Sequence, residues 1–66
     1  MVHHYRRGLQ EAEIETRYLP SLGHFLLIQK LPDGTEEYES FCTEALFRRE
    51  VSRRKGELHK NGWVLS

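Results

Sequence analysis

Apolar and polar residues alternate strictly between Gln10 and Leu19. Ala12, Ile14, Thr16 and Tyr18 fall on one side, Glu11, Glu13, Glu15 and Arg17 on the other. A period of two predicts a strand with one apolar and one charged face. Pro20-Ser21-Leu22-Gly23 breaks the pattern. A second strand, His24 to Leu31, is rich in Phe, Leu and Ile. Pro32-Asp33-Gly34 then supplies turn chemistry: a preset φ, an Asp for the next position and a Gly that accepts the left-handed region. It predicts a three-residue hairpin loop and a third strand, Thr35 to Phe41.

That turn sets a register. With Leu31 opposite Thr35, Ile28 faces Tyr38 and Lys30 faces Glu36 on the even-numbered side, both favourable cross-strand pairs. Phe25 faces Phe41 and Leu27 faces Glu39 on the odd side. The even side matches the apolar side of the first strand, so it is expected to be the covered face. The odd side, with Glu37 and Glu39, is expected to face solvent.

A helix follows. Thr43 is a good N-cap and Glu44 sits in the favourable first turn. At 100° per residue Phe47, Val51 and Leu58 form an apolar stripe with Arg54 at its edge. Gly56 marks a place to bend or break, and Asn61-Gly62 is a stop signal. Trp63-Val64-Leu65 reads as a short strand parallel to the sheet or as a plug for the core. The expected core is Ile14, Leu26, Ile28, Tyr38, Phe47, Val51 and Leu58, with Trp63 at its edge. Residues 1–9 show no periodicity and are expected to be flexible. The reading is α+β: a three-stranded antiparallel meander, one helix on one face and a C-terminal strand or plug. Residues 10–66 form a single small domain.

Composition narrows the function classes. Sixty-six residues with 38% hydrophobic content are too apolar for a disordered tail and too few for two domains. Burying about 60% of the chain's surface leaves a thin stability margin, which makes a dimer attractive. Phe25-Leu26-Leu27-Ile28, the longest apolar run, is far too short to span a membrane. A single cysteine allows no internal disulfide and fits a reducing, cytoplasmic setting. The net charge is zero but unevenly placed: residues 1–42 carry four cations against seven acids, residues 43–66 six against three.

Candidate chemistry is sparse. His3, His4, His24, His59 and Cys42 lack metal-ligand spacing, so no metal and no cofactor is expected. The register sets His24 across from Cys42 near the helix N-terminus, an arrangement that can activate a thiol. A free cysteine is more often a small buried hydrophobe, and Cys42 is read as an unreactive thiol under the helix, with no catalytic residue assigned. The basic helix 43–60 offers Arg48, Arg49, Arg53 and Lys60 as phosphate contacts. Spacings of three and four also pair Glu50 with Arg53 and Arg54, and Glu57 with Arg53 and Lys60.

The junction Tyr38-Glu39-Ser40-Phe41-Cys42-Thr43-Glu44-Ala45, after three antiparallel strands, resembles the arm-type DNA-binding domains of phage and transposon integrases. Its motif is a strand end followed by an N-cap, and the likeness covers residues 12 to 55. The resemblance implies DNA read by a basic exposed sheet face. Here that face is expected to carry Glu13, Glu15, Glu37 and Glu39, which repel phosphate, so the function is not carried over.

Phe25, Leu27 and Phe41 on the expected open face form an apolar patch suited to a protein contact. The resulting expectation is a non-enzymatic protein-interaction module open to homodimerisation, with no membrane partner. The alternative is a nucleic-acid-binding accessory domain that uses the basic helix.

Overall fold

The computed structural model describes residues 1–66. It is α+β, with strands β1 (Val2–Arg7), β2 (Gln10–Leu19), β3 (His24–Lys30) and β4 (Glu36–Phe41), helix α1 (Glu44–Lys60) and a short β5 (Val64–Leu65). The sheet order is β4-β3-β2-β1-β5, and its neighbours are antiparallel.

The expected three-stranded meander is one strand short. Residues 2–7 are not a loose tail but an internal strand, with Tyr5 7% exposed. Gly8-Leu9 closes the β1–β2 hairpin, with Arg7 opposite Gln10. Gly8 has φ +61°, and a left-handed first central residue is what a two-residue II′ turn requires. With β1 in place, β5 pairs with it antiparallel rather than lying parallel to a neighbour, Tyr5 opposite Leu65 and Arg6 opposite Val64.

The β3–β4 hairpin has the expected register throughout, from Phe25 opposite Phe41 to Lys30 opposite Glu36. Leu31 N–H donates to the Thr35 carbonyl at 2.8 Å, and Asp33 Oδ1 accepts from Thr35 N–H at 2.9 Å. The covered face, however, is the opposite one. In the β2–β3 pairing Ile14 meets Gln29, Thr16 meets Leu27 and Tyr18 meets Phe25. Even residues of β2 therefore share a face with odd residues of β3 and β4, and α1 packs on that face.

The core beneath α1 is Tyr5, Ala12, Ile14, Leu27, Leu58 and Trp63, with Phe41, Phe47 and Val51 packed against it. Leu26 is half-buried and Tyr38 is 62% exposed, because both point away from the helix. Ile28 also points away, yet is only 5% exposed. Its cross-strand neighbours Glu15 and Tyr38 flank it on the uncovered side.

The helix begins where its sequence signals it. Thr43 Oγ1 accepts from Leu46 N–H at 3.4 Å. It runs through Gly56 without a break. At its end Gly62 (φ +88°) donates to the His59 carbonyl at 3.1 Å and Trp63 N–H to the Leu58 carbonyl at 2.9 Å. This is the Schellman pattern, with its usual apolar contact supplied by two core residues, Trp63 and Leu58.

Candidate functional site

The sheet face away from α1 is uncovered. Its charged groups are largely satisfied within the face. Glu13 takes His4 Nδ1 at 3.2 Å and Lys30 Nζ at 3.6 Å. Glu11 lies 3.7 Å from Arg6, Glu15 pairs with Arg17, and the Tyr38 hydroxyl donates to Glu36. That bond to a carboxylate, which favours the protonated phenol, raises the Tyr38 pKa above its ordinary value. Among these groups stand Val2, Tyr38 and Val64, all exposed, with Leu26 half-buried and Ile28 buried. Sequence reasoning missed this surface. Its strongest available signal was the Gly8-Leu9 turn, which pairs β1 with β2 and brings Val2 and Val64 to the same sheet.

The expected partner patch is not exposed. Leu27 is 1% exposed, and Phe25 and Phe41 lie half-buried beneath the helix. Phe47 packs against both, with ring centroids 5.0 Å from Phe25 and 6.0 Å from Phe41. Glu37 and Glu39 do not form a free acidic face with Glu13 and Glu15. They lie on the helix side, bound by Arg54 at 3.2 and 2.8 Å. The cause is the parity of the β2–β3 pairing, which turns the odd residues of β3 and β4 toward α1.

The basic helix residues separate into two kinds. Arg48 pairs with Glu44 at 2.6 Å and Arg53 pairs with Glu50. The Arg53 hydrogen bond holds the Glu50 carboxyl below its ordinary range and raises Arg53 in turn. Arg49 and Lys60 have no carboxylate partner. Arg49 and Arg53 line a small recess of about 240 Å³ with Phe41 and Leu46.

A second recess, of about 460 Å³, lies between α1 and the β1–β2 ladder and is lined in part by His3, Arg48 and Lys55. Lys55 Nζ is 3.4 Å from His3 Nε2. At the other end of the sheet Cys42 Sγ is 3.8 Å from His24 Nε2, so the expected pair forms. The thiol is exposed rather than tucked under the helix. No three His, Cys, Asp or Glu side chains come together in a metal-binding group, and no helix is long and apolar enough to cross a membrane. No family model, curated protein or solved structure matches the chain.

Proposed function

We propose that this chain is a small non-catalytic interaction module that self-associates through the open face of its sheet. The observation that carries the reading is a sheet face that no helix covers, on which buried Ile28 lies beside exposed Tyr38 and half-buried Leu26, with exposed Val2 and Val64 on the far strands β1 and β5. The charged residues of β2 run between these apolar groups and are paired within the face, so apolar contact area stands among already satisfied polar groups, a composition that protein contacts tolerate. The occupant favoured is a second copy. The face's own ion pairs nearly cancel, so an identical face meets little net repulsion, and nothing on it attracts a polyanion.

Size supports the same reading. The molecule measures 38 × 21 × 16 Å. The 38 by 21 Å outline sets an upper bound of about 800 Å² on the face, which is one partner's share of a standard interface. The need is also present, because only seven of 66 residues are buried in the isolated chain.

Sedimentation from low to hundreds of micromolar tests the proposal. A dimer is expected, little changed between low and high salt, and Tyr38→Lys with Val64→Lys should return it to monomer. A strictly monomeric wild type, or a dimer indifferent to both substitutions, overturns it. The competing nucleic-acid reading rests on the unpaired Arg49 and Lys60. It requires salt-sensitive retention on duplex DNA that Arg49→Glu removes.

A further inference from the structure

The recess between α1 and the β1–β2 ladder holds one cation, Lys55, that no carboxylate compensates. Lys55 is half-buried, and its only polar contact is a histidine ring nitrogen, at 3.4 Å. Residues one helical turn away on either side, Val51, Ser52, Leu58 and His59, include no acid. No carboxylate lines the recess, whereas Arg48 and the hydroxyl-bearing Thr16 and Ser52 do. Phe47 and Val51 give it an apolar floor continuous with the core. We propose that this cleft binds a phosphomonoester, with the dianion held by Lys55, His3 and Arg48 and the organic group resting on Phe47 and Val51.

The volume suits such a ligand. About 460 Å³ lies within the range of small-molecule sites, which combine apolar walls with a few convergent polar groups. Arg48 is engaged by Glu44, but its side chain is 77% exposed. An exposed ion pair contributes little and can be exchanged for a ligand. The state of His3 agrees with the geometry. Its affinity for a proton is reduced by burial first, then by the Lys55 charge and the amino terminus. A site that resists a proton favours an anion. A dianion is favoured over a monoanion, because Lys55 and a protonatable imidazole lie 3.4 Å apart and Arg48 lines the same cleft.

Titration of the full chain with phenyl phosphate, inorganic phosphate and benzoate, followed by amide and imidazole NMR shifts, tests the assignment. Phenyl phosphate should bind more tightly than either of the others and perturb His3, Thr16, Ser52 and Lys55. The His3 ring should then titrate at a higher pH. Lys55→Met should weaken binding by about tenfold or more, and Lys55→Arg should restore most of it. Arg48→Gln, on the surface, should weaken binding severalfold without risk to the fold. Equal binding of benzoate, shifts confined to other residues, or affinity unchanged in Lys55→Met and Arg48→Gln would each overturn the proposal.

Discussion

Arg54 Nη2 lies 2.8 Å from Glu39 Oε2, and the same guanidinium reaches Gln29 Oε1 at 2.9 Å and Glu37 Oε2 at 3.2 Å. One helical side chain, 15% exposed, thus ties α1 to β3 and β4. A planar fork with five donors suits this three-way contact and an ammonium does not. Arg54→Ala leaves two neighbouring carboxylates without their cation, so a loss of about 1–3 kcal/mol is expected. Arg54→Lys should recover only part of it. Urea unfolding of both variants measures this, and a melting temperature unmoved by Arg54→Ala would remove the clamp from the account.

The face assignment yields a sharper contrast. Leu27→Ala should cost about 2–5 kcal/mol, because a 1% exposed side chain is cut from the core. Tyr38→Ala, at a 62% exposed position, should cost less than about 1 kcal/mol in the monomer. Thermal melts at low concentration compare the two. The reverse order would mean that the even face is the covered one.

Those two residues also show what the sequence could reveal. Pro32-Asp33-Gly34 fixes partners across the hairpin, and each expected pair from Phe25 to Lys30 forms. A turn does not say which side of the hairpin is covered. That depends on β2, joined through a four-residue loop that sets Leu19 opposite His24 and so matches even residues to odd ones. Phe25-Leu26-Leu27-Ile28 is apolar on both sides and offers no alternation to choose a face. Glu37 and Glu39 look solvent-facing until Arg54, 15 and 17 residues away, is brought over them. The open face of the sheet was illegible for the same reason. The Lys55–His3 contact is hidden because β1 has little apolar alternation beyond Tyr5, so its residues read as a loose end.

Because β1 is internal, it should be as hard to open as β3. Tyr5→Ala should cost about 3–5 kcal/mol, the range for a buried aromatic. Hydrogen exchange should show protected amides within Val2–Arg7, since β2 covers one edge of the strand and β5 part of the other. Rapid exchange across the whole strand would contradict its place in the sheet.

The helix end supplies a backbone test. Gly62 has φ +88°, and a Cβ there would stand 3.7 Å from Arg7 Cδ, an ordinary contact. Any penalty for Gly62→Ala therefore comes from conformation rather than crowding, about 1–2 kcal/mol. The same change should loosen Trp63, whose ring lies under Arg7 with the guanidinium carbon 4.6 Å from its centroid. Red-shifted tryptophan emission in the folded variant is the expected sign. An unchanged spectrum and melting temperature would show that the Schellman turn does not hold the ring.

His3 makes stability depend on pH in a defined direction. In the folded chain its pKa lies below the ordinary 6.5, through burial first and then the Lys55 charge. The unfolded chain therefore binds a proton that the folded chain resists. Stability from this residue is present above about pH 6.5 and is lost as pH falls through the lowered folded value. Asp33 and Glu50 are also lowered, from 3.8 and 4.5, Asp33 by its Thr35 hydrogen bond and Glu50 by Arg53. Their losses have the same sign but fall in stronger acid, so these two carboxylates leave the window between about pH 5 and 7 to the imidazole. Urea midpoints across that window should decline in the wild type and decline less in His3→Gln. Phenyl phosphate should flatten the wild-type decline, because an anion beside Lys55 removes the charge opposing the proton. Parallel curves for wild type and His3→Gln would show that the Lys55–His3 contact does not govern the titration.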